Sequence, residues 1–555
     1  MKPSLPRNLV LVLIGLAGIN LLQASFTELI YDEAYYWYYA QQPAWGYFDH
    51  PPMVAWMIAG GGWIASGELG VRIVSCLLGS GTLYLLWLLI DRPAKEAYLP
   101  QLLAWFLSIP LLHAYGFLSL PDTPLLFFAA LFFWVYKRFL QAPGWTRAIV
   151  LGMVMAGLMY SKYHAALIIL FVLASNLRLL RSRYAWLALA VSLLCYAPHL
   201  GWLYGQDFVS VKYHLFERPN QPYLFGKFTG GYLVNLVVLF GLSFPWVYLC
   251  LLRFRAADLF ERALKFSAWG ILVFFLISSF QRRVQTQWLI AACIPLAVLV
   301  GTCIVQDASL RKWIWRASLA NLALLIFLRL GLMYEPLFPV RYESHGNKAW
   351  VGSLKELAAG APVVFENSYR QASMYQFYSG QPSFSLNNVM YRKNQYSIDG
   401  SEAKVQGKRV FHIPVVNKET PYSYTGQDGE PRYGTFMDPF TSYRRVAAGL
   451  RYGQGLTPGA TVEYWAHNPY PETIPLDRIR FGVALLDRYK RTQTILNVRP
   501  VRPDAFPEGI APGDSLRFTF SIPDMARWDP AFLRAVLSEK SLYWGLNGQP
   551  QEISN

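Results

Sequence analysis

Two adjacent carboxylates, Asp32 and Glu33, follow an apolar run that ends near Phe26. A partly desolvated carboxylate beside a membrane can take the proton from an attacking hydroxyl; the same pair also suits a helix cap or a solvated turn. A third acid, Asp122, sits in Leu-Pro-Asp-Thr-Pro. The flanking prolines predict a tight turn, and Asp is a frequent N-cap, a role compatible with chemistry. Cations come later in the chain: Lys162 in Tyr-Ser-Lys-Tyr-His, and Arg282 and Arg283 before Val-Gln-Thr-Gln-Trp, which holds Gln285 and Gln287. They suit charge-assisted bonds to a phosphate, or snorkelling toward lipid headgroups. Acids in early loops facing cations in later ones is the division needed by a hydroxyl nucleophile and a phosphate leaving group.

His50, in Tyr-Phe-Asp-His-Pro-Pro, adds a possible metal donor. Asp32, Asp49, His50 and Asp122 match no compact metal motif. No cofactor follows from the sequence, and a divalent metal with Asp32, Asp122 and His50 as candidate ligands stays open. A phosphate-cradling glycine loop, a nucleophile elbow and a Walker motif are all missing, which argues against a nucleotide-driven transporter.

These residues need elements to hold them. The 555-residue chain is uneven, and its mean hydropathy of +0.24 averages two different parts. Up to about Met333 it is mostly apolar runs; from Glu335 it reads as soluble protein. A bilayer-crossing helix needs about 20 mostly apolar residues. Eleven segments qualify: 8–26, 70–90, 98–118, 123–139, 146–161, 163–180, 184–204, 229–252, 264–281, 284–306 and 312–333. Met1–Phe26 reads as an uncleaved first helix rather than a signal peptide, because no convincing small-x-small cleavage site follows.

The net charge of +16 does not imply nucleic acid, because Lys and Arg punctuate apolar segments rather than forming one soluble basic face. With the N-terminus cytoplasmic, most connecting-loop cations fall inside. Arg72, Lys162, Lys212, Arg218, Lys227, Arg282 and Arg283 fall outside, against the insertion bias, and an anionic ligand is one reason to keep them there. The expected location is a bacterial inner (plasma) membrane, multi-pass, with the C-terminal domain periplasmic or extracellular. The first outer loop, 27–67, has no Lys or Arg but is crowded with aromatics, Tyr35 among them. It suits an interfacial helix or stacking on a sugar ring. All five cysteines lie in apolar runs and are expected to be packing residues, with no disulfide framework.

Asp32-Glu33-Ala34-Tyr35-Tyr36-Trp37 and Trp45-Gly46-Tyr47-Phe48-Asp49-His50-Pro51-Pro52 resemble the bacterial protein-mannosyltransferase-like glycosyltransferases, which include the aminoarabinose transferases of lipid A. Pro121-Asp122-Thr123-Pro124 and Ser161-Lys162-Tyr163 match the same pattern, and Val284–Trp288 is a looser version of a family outer-loop segment. The soluble stretches Pro362–Tyr369 and Asn394–Tyr396 are similar to the tails of many members.

The resemblance implies a GT-C fold, a polyprenyl-phosphate sugar donor and inversion at the anomeric carbon. It makes Asp32 the general base, with Glu33 beside it. Lys162, Arg282 and Arg283 become donor-phosphate contacts. Asp122, Tyr35, His50, Tyr163, Gln285 and Gln287 become substrate-positioning residues. Gln285 and Gln287 depart from the family pattern, in which an acid or Asn often stands. The implied acceptor is a hydroxyl or phosphate of lipid A, another glycolipid, a glycan or a protein, and the implied partners are that acceptor, the lipid-linked donor and membrane lipids.

The expected architecture is thus a multi-span α-helical membrane protein of GT-C type. It has a transmembrane domain at 1–334, a soluble α/β region at 335–440 and a β-sandwich-like region at 441–555. In the α/β region, short β-like runs at 362–365 and 409–414 accompany a helical stretch at 353–359. Alternating runs at 461–465, 480–486, 516–522 and 535–537 suggest the sandwich. Two rival readings remain: a transporter or flippase of lipid-linked sugars, and a membrane scaffold for envelope assembly.

Overall fold

The computed structural model describes residues 6–218, 220–338, 340–416, 420–453, 456–501, 507–539 and 541–553. The chain divides into two compact units, Met1–Asp207 with Tyr223–His345, and Phe208–Pro222 with Gly346–Asn555.

The first unit is helical. Its elements begin with α1 (Arg7–Phe26), α2 (Tyr31–Ala40), α3 (Met53–Gly62), α4 (Gly67–Leu89), α5 (Leu99–Leu107) and α6 (Pro110–Ala114). They continue with α7 (Asp122–Gln141), α8 (Trp145–Ser161), α9 (Ala165–Ser175) and α10 (Arg183–Gly205). The short α11 (Val209–Lys212) belongs to the second unit. Then follow α12 (Thr229–Phe240), α13 (Phe244–Arg253), α14 (Leu259–Ser278), α15 (Cys293–Gln306) and α16 (Ala308–Met333).

Among the described residues, 7 helical stretches are long and apolar enough to cross a membrane: α1, α4, α7, α10, Thr229–Arg253, Thr286–Gln306 and α16. Thr286–Gln306 is the innermost, 89% buried, with α14, α13, α5 and α7 packed around it.

Four expected spans are not among these 7. The segment 98–118 breaks between α5 and α6, where Ile109 is extended and Pro110 starts the next helix. The segments 146–161 and 163–180 form α8 and α9, of 17 and 11 residues. The segment 264–281 lies in α14, which starts earlier, at Leu259, and carries Glu261, Arg262 and Lys265 in its first turns. Within Thr229–Arg253 the helix is interrupted at Gly241. Its φ is +55°, and an added Cβ would lie 2.6 Å from Asn321 Oδ1.

The cysteine expectation is corrected at two positions. Cys250 and Cys303 are paired as a disulfide, because the packing of α13 against α15 turns them toward each other. Cys76, Cys195 and Cys293 are free.

The second unit joins two layers. Its helices α17 (Asn347–Ala358) and α18 (Tyr369–Ser379) accompany β1 (Val363–Glu366), β2 (Ser383–Leu386), β3 (Val410–Ile413), β4 (Tyr422–Thr425) and β5 (Pro431–Met437), in sheet order β2-β1-β3-β5-β4. The pairs β1–β2 and β1–β3 are parallel, as expected of an α/β unit.

Beyond it come β6 (Ala447–Arg451), β7 (Thr461–His467), β8 (Ile474–Pro475), β9 (Ile479–Leu486), β10 (Thr492–Val498), β11 (Gly509–Ile510), β12 (Ser515–Ser521), β13 (Phe532–Glu539) and β14 (Gln551–Glu552). The sheets β12-β7-β6 and β10-β9-β13-β14 bury one shared apolar cluster. Tyr464 on β7 stacks on Phe518, meets Phe481 of the facing sheet at 5.2 Å, and donates its hydroxyl to Val536 O at 2.9 Å. Strand β12 alternates exposed and buried residues along its whole length, the pattern of a sandwich strand.

Candidate active site

The predicted chemistry gathers at one end of the helical unit, where α1 ends, α4 and α7 begin, and α8 and α14 end. Glu33, in the first turn of α2, reaches back to accept the Ile30 N–H at 3.2 Å and so satisfies one free donor at the helix start. It is fully buried and paired with Arg72 of α4, whose Nε lies 2.7 Å from Glu33 Oε1. Arg72 also donates to the carbonyls of Ala24, Thr27 and Glu28. Glu33 Oε1 further accepts the Ser119 N–H at 2.9 Å. The Glu33 carboxylate is therefore consumed by protein donors: it locks the end of α1, the start of α2, α4 and the turn before α7 together. Asp32, one residue earlier, is half-buried.

The turn held by Glu33 leads directly to Asp122. Asp122 Oδ1 accepts from Lys162 Nζ at 2.6 Å, and both side chains are nearly buried. Lys162 Nζ also approaches Gln287 O at 3.4 Å. The Thr123 hydroxyl donates to Tyr115 O at 3.1 Å, tying the chain at 115 to the Asp122 turn. Four turns distant in sequence, at 30–33, 115–122, 161–163 and 285–287, thus meet in one place. Asp122 and Lys162 do not face each other across open space. They form a direct pair, which removes much of the electrostatic cost of burying each alone.

Arg282 and Arg283 sit on the turn between α14 and the 3-10 segment Thr286–Ala292. Arg282 is half-buried; Arg283 is exposed, without a hydrogen-bond or ion-pair partner among the described residues. Asn235 of α12 clamps this turn, donating to Val284 O at 2.9 Å and accepting from Thr286 at 2.7 Å. Gln287 Nε2 donates to Gln285 Oε1 at 3.1 Å, so the two glutamines brace each other beside Lys162.

The aromatic residues of the first loop form its scaffold. Tyr35 is buried against Tyr39, 4.6 Å between ring centres, and His50 meets Tyr36 edge-on at 5.4 Å. Tyr39 stacks on Tyr47 at 4.3 Å and donates its hydroxyl to Asp49 at 2.6 Å. Burial, with the Asp49 carboxylate beside it, pushes the Tyr39 phenol well above its usual range, and burial raises Tyr47 to about 12. Both stay protonated and act as donors, and Asp49 is spent on Tyr39.

Tyr163 reaches a different partner, His199 of α10, at 3.2 Å, while His199 Nδ1 donates to Trp45 O at 2.7 Å. That carbonyl fixes the tautomer, so Nε2 accepts from Tyr163. Gly46 lets the loop touch α10: a Cβ there would sit 2.3 Å from Trp202 Cε3. Among the described residues no three of His, Cys, Asp and Glu gather as a metal-ligand set. The candidate ligands Asp32, Asp122 and His50 are thus not assembled around one point.

Arg72 as the partner of Glu33, Ser119, Tyr115, Asn235 and His199 were not singled out for these roles from the sequence. His199 carried a usable signal: a polar residue inside the apolar run of α10. The same signal marks Arg329 of α16, which donates to Asn20 at 2.9 Å and Gln23 at 3.2 Å of α1.

Fold and site together define a multi-pass membrane protein of GT-C type with a separate α/β and β-sandwich unit. Residues 49–202 match the family model described as dolichyl-phosphate-mannose-protein mannosyltransferase. The lipid A galacturonosyltransferase RgtD of Rhizobium johnstonii is 25% identical over 232 residues, covering 38% of this chain and 46% of that protein. The matched region thus spans less than half of that relative's length. The crystal structure of ArnT from Cupriavidus metallidurans in the apo state is similar in fold, with a TM-score of 0.52 at 13% identity, covering 74% of this chain and 93% of that one. The structure of ArnT bound to undecaprenyl phosphate gives a TM-score of 0.53 at 13% identity, covering 77% and 97%. The chain thus shares the fold of these GT-C structures, and its residues 49–202 carry the pattern of the mannosyltransferase family model.

Proposed function

We propose that the protein transfers a sugar from a polyprenyl-phosphate carrier to an acceptor hydroxyl or phosphate at the outer face of a bacterial inner membrane, with inversion. The observation that carries this is the meeting of the Asp32–Glu33 turn, tied to Ser119 through Glu33, with the Asp122–Lys162 pair and the Arg282–Gln287 turn at one end of the helical unit. A lipid acceptor is favoured by the galacturonosyltransferase relative, named for lipid A. A polyprenyl-phosphate donor is favoured by the undecaprenyl phosphate in the ArnT structure of like fold. The N-terminus is cytoplasmic in this reading and the second unit periplasmic, in line with the loop-charge bias.

The reaction is a single displacement. Asp32 takes the proton of the acceptor hydroxyl as its oxygen bonds to the anomeric carbon, and the bond from that carbon to the polyprenyl-phosphate oxygen breaks. The phosphate leaves with the bonding pair, and Arg282 and Arg283 stabilise its charge. Lys162, held by Asp122, keeps a further N–H donor for the same anion. Glu33 positions Asp32 through the anchor to Arg72 and Ser119 and takes no proton itself.

The test uses purified full-length protein in nanodiscs with a polyprenyl-phosphate sugar. Asp32→Asn should lower transfer by about 10²–10⁴-fold while donor binding persists. A wild-type protein that moves the lipid-linked sugar across the bilayer without transferring it would overturn the reading in favour of a flippase. Mass spectrometry of envelope lipids and glycans with and without the gene identifies sugar and acceptor together.

A further inference from the structure

The second unit contains a cavity of about 340 Å³ that the transfer reaction does not use. It is formed by the segment before Pro222, the 389–393 turn, the start of β10, and β13 with the chain after it. Its wall carries Arg392, Lys393, Lys490, Arg491 and Arg534 against one carboxylate, Glu217. Such a surplus of one charge sign in a partly enclosed space is unfavourable unless something else balances it.

Three of these cations have protein partners. Arg392 lies over the rings of Tyr369 and Tyr213, Lys490 donates to Phe216 O, and Arg491 donates to Asn220 O at 3.0 Å. Lys393 and Arg534 differ. Arg534 is 9% exposed, and its buried Nε has no hydrogen-bond partner. No ion pair among the described residues neutralises Arg534 or the half-buried Lys393, and Glu217 acts on both only at longer range. Burial lowers the Lys393 ammonium below its usual range and brings the Arg534 guanidinium down to about 10. Both groups therefore lack the counter-charge that buried cations ordinarily have.

We infer that this cavity is a binding site for a phosphorylated sugar, with Lys393 and Arg534 receiving the phosphate. A guanidinium edge beside an ammonium matches phosphate oxygens. Tyr213, Tyr391 and Leu546 supply apolar and aromatic wall for a sugar ring. The volume is that of a small-ligand site. The phosphate belongs either to a glycolipid headgroup or to a free sugar phosphate. The site stands whether or not the transferase reading does.

Calorimetry on the full chain in phosphatidylcholine nanodiscs tests it, with glucose 1-phosphate as probe and glucose as control. Glucose 1-phosphate should bind and glucose should not. Lys393→Met and Arg534→Met should each weaken binding by roughly tenfold or more, and Arg534→Lys by less. Lys393 lies on a turn, so its variant keeps the test alive if Arg534→Met fails to fold. Competition by nanodiscs containing lipid A assigns the site to a headgroup; competition by inorganic phosphate alone assigns it to free phosphates. Equal binding of glucose and glucose 1-phosphate, or unchanged binding in folded Lys393→Met, overturns the proposal.

Discussion

Lys162 Nζ lies 2.6 Å from Asp122 Oδ1, and the pair is shielded from solvent on both sides. Removing one partner leaves a buried charge alone, at a cost of about 3–5 kcal/mol, whereas removing both costs less. Asp122→Asn and Lys162→Met should each lower the unfolding temperature in detergent. The double variant should be more stable than the sum of the single losses implies. Simple additivity would show that the pair is not coupled.

Glu33 and Arg72 make a second buried pair, and three backbone carbonyls also accept hydrogen bonds from Arg72. Arg72→Met should destabilise by about 3–5 kcal/mol and reduce the yield of folded protein. Asp32→Asn, one residue from the same anchor, should leave yield and melting behaviour near wild type. Comparing the two by fluorescence-detected size exclusion and thermal unfolding separates anchor from chemistry.

Asp32→Asn should lower the transfer rate by about 10²–10⁴-fold, the usual worth of a general base. Radiolabelled donor should still bind with near wild-type affinity. A variant that retains most of its rate would remove Asp32 from the mechanism.

Arg283→Ala removes an exposed cation and should not change stability. If it contacts the leaving phosphate, kcat/KM should fall by about tenfold or more, with more of the loss recovered by Lys than by Gln. Equal rates for the Ala, Gln and Lys variants would place the anion elsewhere.

Gly46→Ala would drive a methyl group into Trp202. It should destabilise by about 1–3 kcal/mol, the range for overpacking. Combining it with Trp202→Leu should recover part of that loss. The measurement is thermal unfolding of the single and double variants.

Much of this molecule is legible along the chain. Long uninterrupted apolar runs became α1, α4, α7, α10 and α16 with ends close to those expected, because a helix in lipid must satisfy its own backbone over a fixed length. The alternating runs in the second half became β7, β9, β12 and β13, because side chains on a strand must alternate between core and solvent. The carboxylates and cations at turns were likewise visible as residue types out of place beside a membrane.

Pairing was not legible. Glu33 finds Arg72, Asp122 finds Lys162, Tyr163 finds His199, and Cys250 finds Cys303, each across at least one helix and its connections. Local sequence determines which face of a helix avoids water, but not which neighbour that face meets. That depends on the stacking and rotation of whole helices, which bury Glu33 fully against Arg72 and leave its neighbour Asp32 half-buried.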